Sequence, residues 1–113
     1  RSRGELRIAK FLNSIEADYK SEFRFNDCRY KKPLPFDFAV FKNSKIIALI
    51  EFDGIQHFRK VLHYKDTDDD LNLRKEKDLI KTKYCEKNNI KLIRISYKDD
   101  IKSVLREHSI INN

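Results

Sequence analysis

"PFDFAVFKNSKIIALIEFDGIQHF", residues 35–58, runs two apolar strand-like segments back to back and sets three carboxylates, Asp37, Glu51 and Asp53, inside them. Both parities are apolar. Phe36, Phe38 and Val40 oppose Ala39 and Phe41 in the first segment, and Ile46, Ala48, Ile50 and Phe52 oppose Ile47 and Leu49 in the second. Strands of that kind belong in the middle of a sheet covered on both sides. A buried, unpaired carboxylate there is strongly disfavoured until it is paired or takes a proton. The acids therefore need a reason.

The segments predict strands over 36–42 and 46–53, turned around at "NSK". Glu51 and Asp53 are two residues apart and share a face. Asp37 joins them only in one register. A two-residue turn at Asn43–Ser44 sets Phe41 opposite Ile46 and Asp37 opposite Ile50. A three-residue connection, or one bulge, sets Phe41 opposite Ile47 and Asp37 opposite Glu51. The second register is expected, because it gathers the acids on one face.

Working outward, "RSRGELRIAKFLNSIEA" (1–17) places Ile8, Phe11, Leu12 and Ile15 at helical spacing, and Ser2 with Glu5 fits a capping box. "EFRFND" (22–27) alternates as a strand, and "CRYKKPLP" (28–35) reads as a loop because Pro33 and Pro35 lack donors. A loop over 54–68 leads to a helix near 70–88, capped by Asp69 or Asp70, with Leu73, Ile80 and Tyr84 as its inner stripe. "IKLIRIS" (90–96) is a further buried strand, and "KDDIKSVLREH" (98–108) a closing helix. The order α-β-β-β-α-β-α implies a right-handed crossover that lays strand 90–96 parallel to strand 46–53. The expected class is α/β, a mixed central sheet flanked by helices on both faces, in a single domain over 1–113.

The chain has 25 Lys and Arg against 18 Asp and Glu, a net charge of +7, which favours a polyanionic partner. No apolar run approaches the roughly 20 residues of a membrane span, and no signal-peptide pattern opens the chain, so no membrane partner is expected. Cys28 and Cys85 lie far apart without a CxxC pattern, which points to a reduced, intracellular setting and to buried small hydrophobes. The absence of Met points to a fragment or processed form of a longer protein.

Two ionised carboxylates facing each other across a strand pair repel, and a divalent cation resolves both the repulsion and the burial. Mg²⁺ takes oxygen ligands at about 2.0–2.1 Å and commonly uses one or two carboxylates plus waters and phosphate oxygens. Bound there, Mg²⁺ or Mn²⁺ activates a water and polarises a phosphodiester.

"PFD", a dozen residues, then "IEFDG" resembles the PD-(D/E)XK nuclease superfamily, whose core order is αβββαβ. The longer string "RSRGE…LPFDF…IEFDGIQHF…KDLIKTKYCEKNNIKLIRI" resembles small nuclease domains of phage and giant-virus proteins. These are related to very-short-patch-repair and homing endonucleases. The resemblance covers nearly the whole chain and implies a restriction-endonuclease-like core and a DNA endonuclease acting inside the cell, in cytoplasm or nucleoid, with a virus-encoded enzyme acting in a host cell as the alternative. It gives Asp37 and Glu51 the metal-binding roles, with the Phe52 backbone carbonyl as a further ligand. Asp53 stands where the superfamily usually has lysine, which leaves the general base open and offers an extra acid for a second metal. A first-helix glutamate lies near the metal in the repair enzymes, which makes Glu5 a candidate alongside its capping role.

Other residues fill out the expected site. His57 follows the Gly54 turn and suits a base, a ligand or a leaving-group acid, and Gln56 can orient water. Lys77 and Lys81 form an i,i+4 pair on helix 70–88, and one of them can replace the missing lysine from another element. Lys31, Lys32, Arg59 and Lys60 flank the acids, with Tyr30, Phe58 and Tyr64 interleaved, and are expected to grip backbone phosphate without reading bases. Specificity is left to a DNA-targeting domain or partner outside this segment. The rival expectation is a nucleic-acid-binding module that keeps the nuclease fold without catalysis; an RNase also fits, since no residue tests for the 2′-hydroxyl.

Overall fold

A computed structural model describes residues 2–54 and 68–110. Its elements are α1 (Arg3–Ser14), β1 (Asp18–Arg29), β2 (Pro33–Lys42), β3 (Lys45–Asp53), α2 (Asp68–Lys87), β4 (Leu92–Ser96) and α3 (Ile101–Glu107). The strands form one sheet in the order β1-β2-β3-β4. The first three are antiparallel neighbours, and β4 lies parallel to β3 from Leu49↔Leu92 to Asp53↔Ser96. The chain is thus α/β with a mixed sheet, and the parallel pair falls where the crossover argument puts it. No helix among the described residues is long and apolar enough to cross a membrane.

Ser2 caps α1, its hydroxyl accepting the Glu5 N–H at 3.2 Å, so the capping half of the Ser2–Glu5 pair is in place. Ile8, Ala9 and Leu12 form the inner stripe of α1 and pack with Leu105 of α3 against Phe38, Val40, Ala48, Ile50, Ile93 and Ile95. Fully burying a side chain such as Leu12 contributes about 1.5–3 kcal/mol. The opposite face of the sheet meets α2. There Cys28, Phe36, Ala39, Leu49 and Cys85 are buried, with Phe23, Phe25, Phe41, Ile80 and Tyr84 packed around them. Phe23, Phe25, Phe36, Phe41 and Tyr84 form a run of ring contacts, most of them edge-to-face, with centroids 5.0–5.9 Å apart. Helices therefore cover both faces.

The hairpin register combines both expected alternatives. Asn43 (φ 52°) and Ser44 (φ 64°) make a two-residue turn of left-handed residues, the geometry that matches strand twist, and Phe41 faces Ile46. One residue later the register shifts, so Val40 faces Ala48 and Phe38 faces Ile50, leaving Ile47 as the extra residue. The bulge, not the turn, brings Asp37 level with Glu51.

Several boundaries differ from expectation. β1 is twice the expected length, and Pro33 and Pro35 belong to β2 instead of a loop. Pro33 is the first residue of its strand, and the register shifts between Arg24 and Arg29, so a missing donor costs little there. α2 starts at Asp68, which puts Asp69 and Asp70 in the first turn and not at the cap. β4 starts at Leu92 because Ile90 is spent on ending α2, its N–H donating to the Cys85 carbonyl at 2.8 Å. α3 is confined to 101–107 by its cap, Asp100, which accepts the Ser103 N–H at 3.0 Å.

Candidate functional site

Asp37 lies where the ladder between β2 and β3 ends. That ladder runs to Phe38↔Ile50, and beyond it carboxylates take over from carbonyls as acceptors. The Asp37 N–H donates to Glu51 Oε2 at 3.1 Å, and the Phe52 N–H donates to Asp37 Oδ2 at 2.7 Å. The two acids are stitched together through the backbone of the opposite strand. In a strand the N–H and C=O of one residue point to the same side, so the Phe52 carbonyl is directed toward β2 as well. Side-chain alternation also slips at this level. Phe38 packs toward α1 while Phe36, two residues earlier, packs toward α2. In β1, Glu22 has φ 51° although the pairing on either side, Ser21↔Phe38 and Phe23↔Phe36, keeps one register.

Glu51 is the one buried charged residue among those described, 6% exposed. Its Oε1 pairs with the Lys81 ammonium, which reaches it from α2 while its Nζ lies 5.2 Å from the Phe36 ring centroid. Burial pushes the Glu51 carboxyl up to about 7; Lys81 pulls it down and Asp37 pushes it up. Asp37 is also raised, first by burial; the Phe52 N–H opposes the shift and the charge of Glu5 adds to it. Both carboxyls are thus harder to ionise than they would be in water.

A cavity of about 370 Å³ opens over these groups, lined by Glu5, Asp37, Glu51, Phe52, Asp53, Arg74, Lys77, Asp78 and Lys81 together with Leu34 and Pro35. Glu5 thus both starts α1 and faces the cavity, and Asp53 shares that cavity with Glu51. Gly4 makes the approach of α1 feasible: a Cβ there would stand 1.9 Å from the Phe52 ring.

Among the described residues, no three His, Cys, Asp or Glu side chains form a ready-made metal cage. Asp37, Glu51 and the Phe52 carbonyl nonetheless offer hard oxygen donors from adjoining strands, and Mg²⁺ or Mn²⁺ requires only one or two carboxylates. The donor set fits.

Of the expected site residues, the structure brings together Glu5, Asp37, Glu51, Phe52, Asp53, Lys77 and Lys81. Gln56, His57, Arg59 and Lys60 lie outside the described residues. Lys31 and Lys32 line an adjoining cavity of about 410 Å³ with Arg24, Tyr30, Leu73 and Lys77. Arg24 and Arg74 were not anticipated. The signal for Arg74 was present: Arg74, Lys77, Asp78 and Lys81 fall at i, i+3, i+4 and i+7, one face of a helix. Arg24 gives no such signal, because nothing local ties it to Pro33, whose carbonyl accepts its Nη1 at 2.6 Å. Comparison with family models, curated proteins and solved structures brings no match for the chain.

Proposed function

We propose that the chain is a divalent-metal-dependent endonuclease that hydrolyses phosphodiester bonds in DNA, built on a nuclease-like αβββαβ core. The observation that carries this reading is the pairing of Asp37 and Glu51 across β2 and β3, with Lys81 on Glu51. Asp37, Glu51 and the Phe52 carbonyl are the residues to hold Mg²⁺ or Mn²⁺. Bound there, the metal supplies a water of lowered pKa and a polarised phosphoryl oxygen. Lys81 lines the same cavity and carries the ammonium that the superfamily pattern places at position 53. In that position it neutralises Glu51 and donates to an attacking water or a non-bridging phosphate oxygen. Arg74, Lys77, Lys31 and Lys32 offer phosphate contacts around the acids.

The test is single-turnover cleavage of labelled duplex and single-stranded DNA in Mg²⁺ or Mn²⁺. Asp37→Asn and Glu51→Gln each remove a metal ligand worth several kcal/mol of transition-state stabilisation, so rates should drop on the order of 10³-fold. Mn²⁺ should raise the unfolding temperature of the wild type and not of Asp37→Asn. Cleavage that persists unchanged in both variants refutes this site. DNA binding without cleavage by the wild type under either metal gives the chain to the rival reading, a binding module.

A further inference from the structure

The second cavity has a different chemistry from the first. Arg24, Lys31, Lys32 and Lys77 stand around it, its floor is Pro33, Leu34, Pro35 and Leu73, and none of the described residues lining it is a carboxylate. One wall is Tyr30, a 37% exposed ring on the tight β1–β2 connection, where the Tyr30 N–H donates to the Lys32 carbonyl at 3.3 Å. Lys77 and Lys31 hold their ammonium groups 5.7 and 6.0 Å from the centroid of that ring. Cations alone would suit the outer backbone of a duplex. An apolar floor and an aromatic wall need a planar apolar group as well, and a duplex keeps its base faces stacked inside. The occupant that satisfies both halves is a nucleotide whose base is unpaired.

We propose that this slot binds one unpaired nucleotide of single-stranded DNA, with its base stacked on Tyr30 and its phosphates on Lys31, Lys32 and Lys77. A stacked base is worth more than an exposed cation–π contact on the same ring, so the base takes the ring and the lysines turn to phosphate. Leu34, Pro35 and Lys77 line both cavities, so the two adjoin, and a strand held in one has Asp37 and Glu51 beside it in the other. The proposal rests on the nuclease reading only for where the strand is cut; the binding itself is independent of it.

Fluorescence anisotropy in EDTA, at one fixed salt concentration, separates the two. The probes are a labelled 12-nucleotide dT strand, a fully abasic strand of the same charge, and a 12-base-pair duplex. Tyr30→Ala should weaken binding of the dT strand about 10-fold, the scale of one lost stacking contact, and change the abasic strand and the duplex less than about 2-fold. Tyr30→Phe keeps the ring and should bind the dT strand like the wild type. Equal losses on all three probes, no loss on the dT strand, or a loss with Tyr30→Phe as large as with Tyr30→Ala overturns the proposal. Tyr30-dependent binding in a protein that never cleaves supports the slot while removing the nuclease reading.

Discussion

The two helices that flank the sheet centre are held by different physics. α1 buries Ile8, Ala9 and Leu12 against aliphatic strand residues. α2 is longer, yet among its described residues only Cys85 is fully buried. Its anchors are instead largely polar: Lys81 on Glu51, Tyr84 Oη donating to Asp27 Oδ1 at 2.8 Å, and Arg94 Nη2 of β4 donating to Thr82 Oγ1 at 3.1 Å. One side of the sheet is closed by aliphatic packing, and on the other an aromatic cluster is joined by an ion pair and polar anchors. Glu51 is on that second side, where a cation or a proton can change the balance.

Truncating each helix should expose that contrast most strongly. Leu12→Ala removes a fully buried side chain from a closed aliphatic layer and should cost about 2–5 kcal/mol, read by urea unfolding. Ile80→Ala on α2, at a half-buried position, should cost clearly less. Equal costs would mean that α2 is as well packed as α1 and that its polar anchors are incidental.

Lys81→Met breaks the polar side directly. At pH 8 it leaves Glu51 without its cation and should cost about 1–3 kcal/mol. By pH 5 Glu51 is protonated in the folded chain, and the cost should nearly vanish. A cost independent of pH would assign the Lys81 effect to its aliphatic stem packing on Phe36.

A smaller effect concerns the metal-free wild type. The carboxyl of Glu51 is raised from its ordinary 4.5 to about 7, so the folded state binds the proton more tightly than the unfolded one. Its stabilising contribution is full below about 4.5 and is lost as pH rises through about 7. Glu51→Gln should flatten that segment of the stability profile. The proposed metal site predicts the opposite trend, because ligands must be ionised: the Mn²⁺ shift in unfolding temperature should grow from pH 5.5 to pH 7.5.

Strand and helix identities are legible because helical spacing in α1 and continuous apolar runs in β2 and β3 do not depend on partners. Leu12 declares its burial by spacing, and Ile50 by lying inside an apolar run. The acid pair was legible as an anomaly, charge within an apolar run. The route to it was not, since Ile46 and Ile47 are chemically equivalent and nothing local says which one bulges. Lys81 was visible only as one of two lysines on a helix face. Its burial depends on where the β3–α2–β4 crossover sets α2, which is tertiary information. Pro33 and Pro35 mislead because the argument against proline in a strand assumes a continuing ladder, whereas Pro35 holds the last pair before the register shifts and Pro33 lies beyond the shift.

The pairing of β3 with β4 also bears on when the site forms during folding. Glu5, Asp37, Glu51 and Lys81 come from α1, β2, β3 and α2. The β1–β2–β3 meander closes through short connections and brings Asp37 to Glu51 early. Lys81 arrives only when the crossover has closed a far longer loop, and such long-range closures are slow. Closure by α2 and β4 brings the Lys81 ammonium to Glu51 and turns β3 from an edge strand into an inner one, so the ion pair at Glu51 and the covering of β3 depend on the same crossover.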